Sequence, residues 1–524
     1  VIFSRPDEFE RLEPFLSTHL GPVMLAVAPE GEIQKALVAA RRRQLTARAE
    51  TRVATDESCR VWNARRARRL TFAAALALCA MALAVPKLVF FALAGWAILT
   101  LVIGSGLKLS ALIHAFRRMR RAADGPSAGR SQFLRLPTVS IMVPLFRERE
   151  IADRLVKRLA ALDYPKELLD ICLVVEEDDA VTRATLAKTR LPLWMRQIVV
   201  PSGTVRTKPR ALNFALDFLR GSIIGVYDAE DAPEPGQIHK VVRRFAERGP
   251  EVACLQGVLD FYNPRENWLS RMFTIEYAAW FRVVLPGFAR MGFAVPLGGT
   301  TLFFRRTALE ALGGWDAHNV TEDADLGIRL ARHGYRTELI DTVTREEANC
   351  RAVPWVKQRS RWIKGYAMTW AVHMRAPGRL LRELGLRKFL GVQFLFGTTL
   401  SQFLLAPLLW SFWALPLGLP HPFLSAMHPA LLTAIVLSFI ASEAITIGTG
   451  VLAVWMSGQG HRFLAPWTVT LHFYWPLATL AALKASLELI TNPFYWDKTR
   501  HGHLHADEPV WSSSGRRPDG PNRA

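Results

Sequence analysis

Apolar positions fall into two kinds of pattern along this chain. The first is short. From Thr138, strand-like runs at Val139 to Val143, Ile171 to Val175, Ile198 to Val200 and Ile223 to Tyr227 alternate with segments of helical spacing at Arg154 to Leu162 and Pro209 to Leu219. That alternation predicts a largely parallel sheet inside an α/β domain spanning 130–353. The second kind is long. Leu70 to Val85 and Leu88 to Leu107 precede the domain, split by Pro86-Lys87, and Phe389 to Leu417, Pro429 to Trp455 and Phe463 to Leu483 follow it. About 20 apolar residues suffice to cross a bilayer, so these runs predict membrane segments on both sides of the α/β domain. Ahead of all this, Val1 to Phe3 and Val23 to Val27 read as strands, and Pro6 to His19 and Glu30 to Gln44 as helices. Residues 1–45 are therefore expected to form a small α/β fragment.

Charge refines the picture. The chain of 524 residues is half hydrophobic yet carries a formal net charge of +20. The bases crowd beside the apolar runs. Arg60, Arg65, Arg66, Arg68 and Arg69 stand at the end of a basic linker, 46–69, and Arg117, Arg118, Arg120 and Arg121 follow the hairpin expected over 70–113. Bases on both flanks argue for an in–out–in hairpin. This distribution also sets aside nucleic acid as a partner, because no separate basic module exists. Residues 354–388 mix aromatics with bases and read as interfacial helices. Across the membrane region, 389–490, the stretch 389–456 has one formal charge, Glu443, expected to face the bundle interior. Treating Phe463 to Leu483 as re-entrant or interfacial keeps the tail, 491–524, inside. The five cysteines are scattered without a CxxC pair, so neither a disulfide framework nor a zinc site is expected. The start at Val1 shows no signal-peptide pattern and reads as a processed or truncated form.

The candidate chemistry lies in acidic clusters. Glu176-Glu177-Asp178-Asp179 and Asp228-Ala229-Glu230-Asp231 end strand-like runs, and Thr321-Glu322-Asp323 opens a helical one. Residues just past the carboxyl ends of strands line the ligand crevice of an open α/β sheet. Carboxylates gathered there suit a hard divalent cation or a proton to be moved. Later, Gln358, Arg361 and Trp362 fall at i, i+3 and i+4, one face of a helix. An arginine there can pair a phosphate with two parallel hydrogen bonds. The combination reads as a site for a nucleotide diphosphate, a metal ion and an acceptor hydroxyl.

In their order and spacing, and with membrane segments on either side, these elements resemble membrane-embedded family 2 glycosyltransferases of the cellulose-synthase and hyaluronan-synthase type, from about Leu70 to Gly502. The resemblance implies a GT-A (Rossmann-like) cytoplasmic catalytic domain inserted between transmembrane α-helices of a multi-pass protein of the bacterial inner membrane. It implies that Asp178 or Asp179 holds the uridine, and that Lys208, in Lys208-Pro209-Arg210-Ala211-Leu212-Asn213, lies near the base or phosphates. It implies Mg2+ or Mn2+ on Asp228. Here the usual Asp-x-Asp reads Asp228-Ala229-Glu230, so the second ligand is Glu230 or Asp231. Asp323 resembles the general base, with Glu322 beside it, and Gln358, Arg361 and Trp362 resemble the donor-holding helix. Gly298-Gly299-Thr300 lies where the family passes its acceptor, and Trp496 to Gly502 is similar to an element near the substrate phosphates. The implied function is an inverting transfer from a UDP-sugar that extends a β-linked polysaccharide and exports it across the bilayer, with an export or regulatory partner as a further possibility. Transfer to a lipid-phosphate acceptor and a non-catalytic membrane scaffold or receptor are the alternatives. Residues 1–45 resemble the end of the N-terminal domain of type II secretion ATPases, without that family's ligand motif. A docking role and no nucleotide binding are expected there.

Overall fold

A computed structural model describes residues 6–26, 28–123, 135–148, 151–415, 417–421 and 427–495. Its centre is one eight-stranded sheet with the order β3-β2-β1-β4-β7-β6-β8-β5. The strands are β1 (Val139–Leu145), β2 (Leu169–Glu176), β3 (Met195–Val200), β4 (Ile223–Val226), β5 (Ala232–Pro233), β6 (Val252–Phe261), β7 (Leu302–Arg305) and β8 (Arg336–Glu346). β1 pairs in parallel with β2 and β4, and β2 with β3. β7 is antiparallel to β4 and β6, whereas β8 runs parallel to β6. The sheet is therefore mixed, and parallel only in the half whose strands alternate with helices in the sequence. All eight residues of β2 and all ten of β6 are buried, as expected of strands covered on both faces.

Successive residues of β1 show why the run is continuously apolar. Val139, Ile141 and Val143 pack toward Leu155, Leu159, Ile238 and Phe245 on one face. Met142 turns to the other, toward Leu212, Phe214, Trp315 and Leu326. The period-2 geometry of a strand divides one hydrophobic run between two cores. Pro144 does not end β1, which continues to Leu145.

Three helices are long and apolar enough to cross a membrane among the described residues: Ala64–Ala84, Pro86–Arg120 and Pro429–Met456. The first two form a hairpin whose open end meets the sheet domain. Just before the Ala64–Ala84 helix, Cys59 N donates to Asp316 Oδ2 (2.6 Å). Near the other end of the hairpin, Ala111 packs so tightly on Gly287 that a Cβ at Gly287 would lie 2.3 Å from that of Ala111.

Several expectations need correction. Residues 23–26 form no strand, and two helices, Pro6–Leu20 and Glu30–Thr51, account for the rest of the described fragment. Among the described residues Val23 to Ala26 has no neighbouring strand, and an unpartnered strand has little to hold it. Residues 46–69 are more than a linker, because Ala49, Val53 and Cys59 are buried against the sheet domain and its following helix. The run Phe389 to Leu417 is not one straight span. Its helix stops at Leu404, and the Ala406–Ala414 segment departs at 63°. Pro407 in the first turn of that segment explains the break, since it lacks the N–H that would continue the ladder. Phe463 to Leu483 is likewise divided, into a 3₁₀ stretch Gln459–Thr470, a short turn of helix and the Pro476–Thr491 helix. Two bases of the stretch read as interfacial helices, Lys364 and Arg359, turn inward. Lys364 is buried and donates to Glu488 (2.9 Å) and to the carbonyl of Tyr495 (2.7 Å), while Arg359 pairs with Glu276 (2.7 Å). Trp496 to Gly502 lies outside the described residues, as does Val1 to Phe3.

The Ala352–His373 helix crosses close to the start of the Glu322–Arg332 helix because Gly365 faces Thr321. A Cβ at Gly365 would lie 2.3 Å from Thr321 Oγ1 and 2.4 Å from its Cγ2. Gly365→Ala is expected to overpack this crossing and cost about 1–3 kcal/mol. A thermal midpoint several degrees lower in detergent, read by size-exclusion fluorescence, checks it. An unchanged midpoint would show that the two helices separate freely.

Candidate active site

β4 ends at Val226, and a tight turn follows in which Asp231 N donates to the carbonyl of Asp228 (3.2 Å). The turn presents Asp228 and Glu230 to a cavity of about 590 Å3. Asp231 turns the other way. It is fully buried, and its Oδ2 accepts from the backbone N of Asp228 (2.8 Å) and from Thr300 Oγ1. Burial, followed by the charge of Asp228, raises its carboxyl well above the ordinary aspartate range. Asp231 thus shapes the turn and does not line the cavity, which corrects its expected place as an alternative metal ligand.

Lys208 is the first residue of the Lys208–Leu216 helix, capped by Thr207. Its ammonium donates to Asp228 Oδ1 and to the carbonyl of Gly299 (3.0 Å). Burial works against that charge, but Asp228, Glu322 and Asp323 outweigh it and hold the ammonium above the usual lysine range. Glu322 and Asp323 sit in the first turn of the Glu322–Arg332 helix, where the dipole favours negative charge. Asp323 Oδ1 accepts from Ala324 N (2.8 Å), and its Oδ2 lies 3.4 Å from where a Gly299 Cβ would be. The glycine leaves that side of the carboxylate open. Burial raises Asp323, and burial followed by the Asp323 charge raises Glu322 to about 7.

The opposite wall comes from the Ala352–His373 helix. Gln358, Arg361 and Trp362 all line the cavity. Gln358 Oε1 accepts from Asn349 Nδ2 (2.7 Å), which fixes the amide. Arg361 feels the charges of Glu322, Asp228 and Asp323, although burial lowers it below the ordinary arginine value. Trp362 lies under the Arg359 guanidinium, 4.5 Å from the ring centroid. The sequence-predicted Asp228, Glu230, Lys208, Glu322, Asp323, Gln358, Arg361 and Trp362 therefore meet in one space.

Asp178 and Asp179 do not line it. Asp179 is buried as the cap of the Ala180–Lys188 helix and also accepts from Arg147 N. Both oxygens are used, so a short strand-end acid here serves the backbone. Asp178 is half-exposed and pairs with Arg206, which does line the cavity. Sequence reasoning missed Arg206 and also Glu346. Glu346 ends β8, as Glu176 ends β2 and Asp228 follows β4, and its place at a strand end was the available signal. Its Oε1 has no hydrogen-bond partner among the described residues. Burial, followed by Asp231, Glu230 and Asp228, pushes it well above the usual glutamate range.

The cavity continues beyond this chemistry into the membrane helices. Trp410, Trp413, Glu443, His472 and Trp475 line its far part. Glu443 accepts from or donates to His472 Nδ1 across 2.9 Å, and His472 stacks on Trp410 with centroids 4.3 Å apart.

Oxygen donors crowded at one wall of a cavity suit a hard divalent cation, whose charge would relieve their repulsion. Asp228 and Glu230 fit that requirement. As they stand, no three acidic, histidine or cysteine side chains among the described residues converge to hold one, and Lys208 supplies the local positive charge.

Residues 223–457, which hold the Asp228 turn, the Glu322-Asp323 helix and the Gln358–Trp362 face, match the family model "Glycosyl transferase family group 2". Residues 223–457 are thus similar to family 2 glycosyltransferases. Its mixed sheet is the GT-A fold expected from the sequence. A β-monoglucosyldiacylglycerol synthase of Synechocystis sp. is 30% identical over 273 residues, covering 50% of this chain and 55% of that protein. Glucomannan 4-β-mannosyltransferase 7 of Arabidopsis thaliana is 24% identical over 265 residues, covering 47% and 44%. The matched region thus spans about half the length of these curated relatives. Among solved structures, the mannosyltransferase PcManGT of Pyrobaculum calidifontis, in complex with GDP-Man and Mn2+, is 18% identical with a TM-score of 0.44, covering 75% of this chain and 99% of that one.

Glu322 gives the sheet domain a testable pH dependence. Its folded value, about 7, lies above its ordinary 4.5. The folded state then binds the proton more tightly, so stability falls as pH rises between those values and stays lower above them. The thermal midpoint of the unaltered chain is expected to drop from about pH 5 to about pH 8, and to drop less in Glu322→Gln. Parallel profiles for the two proteins would assign the titration elsewhere.

Proposed function

We propose that this protein is an inverting glycosyltransferase that takes a UDP-sugar and transfers the sugar to an acceptor reaching the site from the membrane side. One observation carries the proposal. Asp228, Asp323 and Arg361, which are far apart in sequence, line a single cavity that runs on between the membrane helices. In the proposed reaction the acceptor oxygen attacks the anomeric carbon as Asp323 takes its proton. The bond to the diphosphate breaks on the opposite face, and UDP leaves with the bonding electrons. A carboxylate held above its ordinary pKa is a better base once ionised. Lys208 and Arg361 would face the developing charge on the diphosphate, since a guanidinium can hold two phosphate oxygens at once. Gln358 would bond sugar hydroxyls, and Trp362 would offer its flat face. Asp228 and Glu230 would hold Mg2+ or Mn2+, which when bound takes up charge on the leaving diphosphate.

The acceptor divides two versions of this proposal. The tryptophans along the far part of the cavity favour a growing glycan, extended while it passes outward. The glucosyldiacylglycerol synthase relative favours transfer of one sugar to a lipid. Either version places the chain in the bacterial inner membrane, with the catalytic domain cytoplasmic.

Purified protein incubated with UDP-sugars is expected to release UDP, and chelation of divalent metal to abolish release. Asp323→Asn should lower kcat about 10²–10⁴-fold with donor binding retained. Equal rates for Asp323→Asn and the unaltered chain would overturn the assigned base. A ladder of long products identifies glycan extension, and a single lipid adduct identifies the other acceptor. A chain that releases no UDP with any sugar or metal would be a membrane scaffold or receptor.

Arg361→Lys tests the phosphate contact separately. A lysine keeps the charge but loses the paired geometry. The KM for the donor is expected to rise about tenfold or more, measured by UDP release at varied donor. An unchanged KM would remove Arg361 from the donor's phosphates.

A further inference from the structure

The Glu30–Thr51 helix precedes every element of the sheet domain in sequence, yet its last turns are built into the domain. Ala49 is buried beside Leu212 and Phe214, and its carbonyl accepts from Asn213 Nδ2 (3.0 Å). The next residue, Glu50, is 8% exposed and reaches the loop between β3 and the Lys208–Leu216 helix. Its Oε1 accepts from Thr204 N (2.7 Å) and its Oε2 from Thr204 Oγ1 (2.6 Å). Arg210 Nε lies 3.3 Å from Glu50 Oε1, and the same guanidinium pairs with Glu176 (3.1 Å) and donates to the carbonyl of Pro201. The contact is close enough to demand glycine at Gly203, where a Cβ would meet Glu50 Oε1 at 2.2 Å. One helical face earlier, Arg42 holds both oxygens of Glu177, which also accepts from Ser202 N (3.2 Å).

This network fixes residues 201–204 from outside the sheet. The loop goes on directly to Arg206, Thr207 and Lys208, all of which line the cavity. A buried carboxylate with two donated hydrogen bonds and an arginine holds a loop far more tightly than exposed contacts do. Ordering a cationic loop before the ligand arrives removes an entropy cost from binding.

We propose that Glu50 is a positioning residue for the nucleotide diphosphate: by fixing Thr204, it sets the place of Arg206 and Lys208 and so the affinity for the donor. The inference rests on the donor assignment above. It makes the segment before the membrane hairpin part of the donor site without touching the ligand.

The test uses the full chain in detergent, with UDP as the probe. Glu50→Ala is expected to raise the Kd for UDP and the KM for the donor about tenfold, with kcat changed no more than about twofold. Thr204 is exposed, so Thr204→Val should fold normally. It removes one of the two hydrogen bonds and should give a smaller rise in the same direction. Arg206→Ala should weaken UDP binding strongly in the unaltered background and only slightly in Glu50→Ala, because the two act through one loop. Amide exchange at 201–206 should quicken in Glu50→Ala. Unchanged UDP affinity in both Glu50→Ala and Thr204→Val, or full additivity with Arg206→Ala, would overturn the proposal. Unchanged exchange would overturn it whatever the nucleotide data. An unaltered chain that binds no UDP, with exchange still quickened in Glu50→Ala, would overturn the donor assignment and leave Glu50 as a brace of the loop only.

Discussion

Like charges gathered in a space poor in water must be answered or neutralised, and that requirement organises this protein. Asp228, Glu230, Glu322, Asp323 and Glu346 all line one cavity. Burying an ion costs several kcal/mol after relaxation, and an uncompensated one is strongly destabilising. The protein answers with cations from different elements, Lys208 from the start of one helix and Arg361 from the middle of another. Where burial and neighbouring acids prevail over any cation, the acid is held toward its neutral form, as Asp231 and Glu346 are. The site is thus poised to accept positive charge or to move protons, whichever the bound ligand brings.

The elements that supply these charges are locked together at close contacts. Gly365 lets the Ala352–His373 helix approach Thr321, and Gly299 leaves room beside Asp323. Around them, Asp325 in the acidic helix is tied to Arg329 (2.7 Å) and to His373 (3.0 Å) at the end of the Ala352–His373 helix. Burial alone would raise Asp325, but these partners hold it below the ordinary aspartate value. Two carboxylates on one helix, Asp323 and Asp325, are therefore shifted in opposite directions by what they face. The first is left exposed to the cavity, and the second joins two helices.

Much of this was legible in the chain because it rests on local regularities. Strand-then-helix alternation exposed the parallel half of the sheet, and acids after apolar runs marked the crevice. Spacing alone put Gln358, Arg361 and Trp362 on one face. What escaped was non-local. Nothing near Asp179 says that its oxygens cap a helix and hold Arg147, or that Asp231 points at Thr300 and not at solvent. The antiparallel β7 arrives from a distant part of the chain, so its direction had no local signature. Arg48 and Arg52 read as part of a basic linker until Asp217 is brought beside them. The run from Phe389 was long enough to span, but Pro407 imposes a 63° bend that hydropathy does not register.

The contact between Gly287 and Ala111 has a consequence for how the domain is seated on its long helix. With no side chain on one partner and a single methyl on the other, the sheet domain and the Pro86–Ala123 helix meet backbone to backbone. Such a joint leaves no side chain between the two backbones. Any side chain at 287 would force the domain, and the Glu322–Asp323 turn it carries, away from that helix, so one missing methyl sets how closely the two are seated.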